Sequence, residues 1–486
     1  MDEELTSSKK PWIIIGVVLV LLLGIGLYFF FSRAKGGTDT GTSSSSSLFG
    51  FLGTDTPRPT GTEITPGNSD TQNNTQNTTP GEEPLFRHLA NIPVAGATAV
   101  VHDGKTYVRY IARENGYVYE VDPQTGASTQ LTNTTIPRIY EAFWGNSGNS
   151  VVIRYLTRDQ LSRQDVIKTR LTDLALPVAD PNGTSTSALG SLTGSGNDFL
   201  PDNISTVSIS PDGTHLFYLL PVTDGVSGTS VSIATRAAKE VLRSSFSEWL
   251  PQILNNGTII LTTKASASVP GFSYLYNPLD KTFSRLVREK DGLTTLAEQN
   301  GKRLIYSENI SGNTTLSLYD TKGFESDEGD VVHTEPLQLA TIPEKCAWSN
   351  NSVRIYCGAF TSTPRVEIPD SWYQGVVSFS DTFWTINTDT SEITFLSDPV
   401  KENSAGHTFD VFMPFTGGDE NHFFFVDKND ATLWSMHIIK SKFIASDEPS
   451  TQAGNAPILT PDELKDAAGS SGLGTPDKPS VPAPKK

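Results

Sequence analysis

From Leu85 to about Ser446 the apolar positions come in short alternating runs rich in Val, Ile, Tyr and Phe, each broken by Gly, Pro, Asn, Asp or Ser, with almost no helical periodicity. Period-two patterning with frequent turn residues predicts an all-β body. One unit recurs along it: an apolar strand, a tight polar turn, then a β-branched or aromatic strand, as in VVHDGKTYVRYIA, SISPDGTHLFYLL and AWSNNSVRIYCG. The turns centre near residues 104, 148, 213, 257, 301, 352 and 420, so successive spacings are 44, 65, 44, 44, 51 and 68. A base period of 44 is the size of one four-stranded propeller blade, and the wider gaps read as that period plus insertions. A second hairpin follows several copies, for example YLYNPLDKTFSRL and FWTINTDTSEITFL. The expectation is a seven-bladed β-propeller over residues 85–446 with four strands per blade.

Ring closure is predicted by the same bookkeeping. The segment Pro84–Val101 matches the outer-to-inner passages STQLTNTTIPRIYEAFW and PLQLATIPEKCAWS, yet no blade precedes it. The last unit, in turn, has no clear outer strand of its own. The strand at Leu85–Pro93 should complete blade seven and remove the open edges of the array.

Ser210-Pro211-Asp212-Gly213 followed by THLFY resembles the SPDG turn of the WD40-like repeats in TolB-type propellers, and Ala347–Ser352 (AWSNNS) resembles a degenerate copy. No Gly-His/Trp-Asp pair recurs, so the resemblance is not to true WD40 repeats. It implies a fold and a habit of binding proteins or glycans; it implies no reaction.

Outside the body the pattern changes twice. Residues 12–32 form a predicted transmembrane helix, because Trp12–Phe31 is 20 residues without a charge. That length spans about 30 Å, the hydrocarbon thickness of a bilayer. Lys9 and Lys10 flank one end, Arg33 and Lys35 the other, and no small-residue cleavage site follows. Residues 1–11 are then a short cytoplasmic tail and the propeller lies outside the membrane. Residues 33–84 and 447–486 are Ser/Thr/Gly/Asn/Pro-rich and read as a disordered linker and tail.

The cysteine pair supports that orientation. If the blade-six hairpin is symmetric about Asn351/Ser352, paired positions sum to 703, and Cys346 then faces Cys357. A cross-strand disulfide is expected, which implies an oxidising compartment.

Charge and composition mainly exclude. Asp plus Glu number 54 against 37 Lys plus Arg, a net charge of −17, so no basic field exists for nucleic acid. The seven His show no metal-ligand spacing, no Gly-x-Ser-x-Gly elbow or phosphate-cradling motif occurs, and no cofactor is expected. The acidic stretch 325–330 reads as a solvated loop. What remains is surface. In a propeller, the loops joining second to third strands share one face with the links between blades, where ligands usually dock. That face receives 157–164, with Arg158, Asp159 and Arg163, then 221–228, and the long insertion 360–380, with Arg365, Asp370, Trp372 and Tyr373. Such residues anchor protein interfaces or stack on sugars. Trp372 and Tyr373 can equally fold back onto the blade. The insertion 174–200 reads as a mobile loop. The functional expectation is a non-catalytic scaffold for an envelope or surface protein partner. One alternative is a carbohydrate-binding propeller. The other is a propeller glycosidase or lyase, which needs carboxylates converging at the channel.

Overall fold

The computed structural model describes residues 83–177, 189–194, 198–320, 333–362, 366–402 and 407–442. The expected membrane helix, the linker as far as residue 82, the C-terminal tail from residue 443, the acidic stretch 325–330 and Arg365 lie outside these residues. Among the described residues no helix is long and apolar enough to cross a membrane.

Seven four-stranded antiparallel sheets succeed one another along the chain. Blades one to six occupy residues 94–130, 139–193, 206–244, 249–291, 295–337 and 346–397. Blade seven has three strands from residues 411–437, and its outermost strand is Phe86–Ala90, paired antiparallel with Leu433–His437. The N-terminal strand therefore closes the ring, as the missing outer strand predicted. The first strands of blades six, seven, one, two, three and four touch in that order around the ring.

Strand alternation explains the core. Phe217 and Leu219 point toward blade four, whereas Leu216 and Tyr218 point back toward blade two. Each blade thus splits its apolar residues between two neighbours, and seven buried clusters fill the seven interfaces. The interface between blades six and seven is rich in aromatics, with Phe86, Tyr356, Phe383, Phe409, Phe423 and Phe425 all buried.

The turns between first and second strands sit where the spacing placed them, and they bond to one another around the ring. Asn146 N–H donates to Gly213 O (2.8 Å), Asp212 N–H to Asn255 Oδ1 (2.9 Å), Asn255 N–H to Gln299 O (3.1 Å), and Gln299 Nε2 to Asn350 O (2.7 Å). The SPDG turn works through its serine. Ser210 Oγ accepts from the N–H of Thr214 and His215 and donates to Asp212, while Gly213 takes a left-handed φ of 70°. A Cβ on Gly213 would come within 2.7 Å of Asn146 N, so both the turn and the blade contact require glycine. The copy at Ser349 repeats the device: its Oγ accepts from Arg354 N–H and donates to Asn351.

One expectation is corrected. Residues 174–200 are not one loop, since Ser191–Thr193 pairs with Asp173–Ala175 as the fourth strand of blade two. The short strand lies between Gly/Ser/Thr-rich runs, and its few β-formers were masked by that composition.

Candidate functional site on the loop face

The disulfide forms as expected. Cys346 and Cys357 are register partners, followed by Ala347 with Tyr356 and Trp348 with Ile355, and the two cysteines are bonded at a Cα–Cα distance of 4.1 Å.

The blade-six insertion settles against the inner end of blades five to seven. A short helix, Asp370–Tyr373, carries the two aromatic residues. Trp372 is 1 % exposed. Its Nε1–H donates to both oxygens of Asp410 (2.9 and 3.1 Å), and its carbonyl accepts from Lys428 Nζ (2.8 Å). Below it lies Lys345, fully buried, bonded to Asp381 (2.6 Å) and to Asp410, with its ammonium 5.1 Å from the Trp372 ring. Glu344, just before the first strand of blade six, accepts from Tyr373 OH and from Thr294 Oγ1 (2.8 Å). Two carboxylates around one ammonium in a dry site explain the protonation pattern. Burial, with Asp410 adding and Lys345 opposing, pushes the Asp381 carboxyl up to about 6. Burial pushes Lys428 down to about 8 against the pull of Asp410. Burial likewise raises Glu344 and lifts the Tyr373 phenol well above its ordinary value.

Of the two readings open for Trp372 and Tyr373, the structure shows the inward one. Trp372 is core, and its burial corrects its place among partner-facing residues. The physical reason is the charge cluster: a Lys–Asp–Asp group shut away from water needs protein hydrogen bonds in its place, and the indole N–H supplies them to Asp410. Asp370 is also a fastener, accepting from Ala267 N–H of blade four (2.6 Å), and Asn309 of blade five donates to Ile368 O (2.5 Å). The insertion is thereby tied to blades four, five, six and seven on one face. Val269, Ile310, Val366 and Val376 remain exposed on that face of blades four to six, Val376 at 70 %.

The other candidates lie apart from this ledge, on blade two. Asp159 shapes its own turn, accepting from the N–H of Leu161 (3.0 Å) and Ser162 (2.6 Å), and these bonds hold its carboxyl below the usual range. Arg158 Nε donates to Arg163 O (3.0 Å), and Leu161 between them is 96 % exposed. Sequence reading missed Lys345, Asp381, Asp410 and Lys428, for which no motif exists.

It also missed a cluster on the opposite face. His422 and His437 are register partners, and Glu83, ahead of the closing strand, lies between them. His422 Nε2 is 2.6 Å from one Glu83 oxygen and His437 Nδ1 is 2.7 Å from the other. Burial raises the Glu83 carboxyl, but the hydrogen bonds and charge of both imidazoles outweigh it and hold it low. A signal was present: paired positions here sum to 859, and 422 plus 437 satisfies it as 346 plus 357 satisfies 703.

No family model and no curated protein matches the chain. Among solved structures, TolB from Acinetobacter baumannii is 14 % identical with a TM-score of 0.36, over 61 % of this chain and 62 % of that one. The chain thus spans under two thirds of that protein's length. An oligogalacturonate lyase from Vibrio parahaemolyticus is 11 % identical (TM-score 0.44, 74 % and 94 % covered). The β-propeller domain of Cps50 (Swd1) from Myceliophteria thermophila is 8 % identical (TM-score 0.43, 73 % and 100 % covered). The likeness is one of fold.

Proposed function

We propose that this chain is a membrane-anchored, extracytoplasmic propeller that holds a protein partner without catalysis, with the partner seated on the ledge formed by the blade-six insertion. The observation that carries the reading is the fastening of that insertion to four blades, which presents exposed apolar side chains on a backbone that loses little freedom on binding. The disulfide fits an oxidising compartment, and the apolar run 12–31 supplies the anchor. The carboxylates that converge, Asp381 and Asp410, are closed off from solvent and bound to Lys345, which favours a scaffold over a glycosidase or lyase.

The test is crosslinking mass spectrometry on intact envelopes bearing the full chain, alongside a Val269→Asp/Val376→Asp variant. A saturable protein partner crosslinked within residues 264–269 and 366–380, and lost in the variant, is the expected result. Capture of polysaccharide alone would move the assignment to glycan binding, and a partner retained by the variant would remove the ledge.

A further inference from the structure

We propose that Glu83, His422 and His437 form a binding site for a divalent transition-metal ion of the zinc class, and that the bound ion clasps the closing strand to blade seven. Two imidazole nitrogens and a carboxylate converge so that their ligand atoms all lie within 4.8 Å of one another. Zinc bonds of roughly 2.0–2.2 Å in tetrahedral geometry put ligand atoms about 3.3–3.6 Å apart. The contacts of 2.6 and 2.7 Å, one to each Glu83 oxygen, open by less than about 1 Å to admit the ion, and a ligand pair at the 4.8 Å limit closes by about 1.2–1.5 Å.

The donor set selects the metal. Imidazole with carboxylate suits zinc and its neighbours, whereas calcium and magnesium seek oxygen ligands throughout. Access is graded: His422 is sealed in the blade, while the side chains of His437 and Glu83 are 33 % and 20 % exposed, so the ion enters from their side. With three protein ligands the fourth position goes to water or to an exogenous group. The Nδ1 atom of His422 is buried without a hydrogen-bond partner among the described residues. No outer acceptor therefore fixes that ring, and affinity falls below that of a fully buttressed site.

Placement gives the site its consequence. Among the described residues His422 and His437 stand on the last two strands, and Glu83 precedes the first. The two histidines already face each other within blade seven, and Glu83 joins them only when the ring is closed, so the full ligand set exists in the closed form and metal favours that form by mass action.

The test uses the full-length chain in detergent, stripped with chelator and then dialysed against Zn²⁺. Wild type is expected to retain one zinc ion per chain beyond the content of Glu83→Gln, and to unfold at higher temperature with zinc than without. Glu83→Gln and His437→Ala, both on the solvent side of the cluster, should weaken binding. Both should also lose the zinc-dependent shift, the loss of affinity exceeding the roughly 10–100-fold range of an outer-shell change, and Mg²⁺ should leave the wild-type midpoint unmoved. Equal zinc content and equal shifts in wild type and Glu83→Gln, or no response to zinc at all, would overturn the site and leave a hydrogen-bonded latch.

Discussion

The charged residues that matter most in this fold are the ones that solvent never meets. Lys345 sits between Asp381 and Asp410, so one ammonium serves two carboxylates and one of them holds its proton longer than an exposed aspartate would. The folded-state value for Asp381 is about 6, against about 3.9 in the unfolded chain. Between these values the native state binds a proton that the unfolded chain has released, so this group's contribution is full below about pH 4 and is lost as pH rises through about 6. Asp381→Asn cannot titrate. Urea midpoints taken from about pH 4 to about pH 7 are expected to fall with rising pH more steeply in wild type than in the variant. Parallel curves would show that the proton is shared elsewhere in the cluster. The residue scale also shows why Trp372 is not a recognition residue. Its indole N–H and its carbonyl are both spent on this charge group, while Val269, Ile310, Val366 and Val376 are the exposed apolar residues of that face.

At the scale of elements, the hairpin of blade six is cross-linked where its two inner strands meet. Both cysteines are buried, and the closed loop is short, with a sequence separation of 11. A loop of that size constrains the unfolded chain by about 3 kcal/mol in the chain-entropy account. A Cys346→Ala/Cys357→Ala variant is therefore expected to lose about 2–3 kcal/mol in urea unfolding without reductant. A loss under about 1 kcal/mol would mean that the Phe-rich interface alone sets the hairpin. The pairing was legible before the structure because a tight turn fixes register, and register fixes which side chains oppose each other. The insertion was not legible in the same way. Its sequence shows a Trp and a Tyr, but the Asp410 that holds the Trp inward and the Glu344 that holds the Tyr are contributed by other segments.

For the whole molecule, closure is the decisive event. Phe86 is buried against Phe383 and Phe409, and its strand covers the free edge of Leu433–His437. Removing residues 83–92 from the full chain is expected to cost more than the roughly 3–5 kcal/mol of a buried Phe→Ala change. It should also give concentration-dependent self-association through the uncovered edge, read by analytical ultracentrifugation in detergent. A monomer of undiminished stability would show that six complete blades hold the seventh in place. The sequence by itself determined the number of blades, the four-stranded plan with the outer strand of blade two excepted, the closing strand and the disulfide. These follow from local rules: period two selects strands, turn chemistry sets register, and a regular spacing counts units. Only the tertiary structure decided which face of the insertion is core, where the buried charges gather, and that Glu83 meets two histidines. Those depend on residues more than 300 positions apart in the case of Glu83 and His422. The Glu83 contact follows from ring closure, which brings the two ends of the propeller together, and no local pattern marks which side chains meet there.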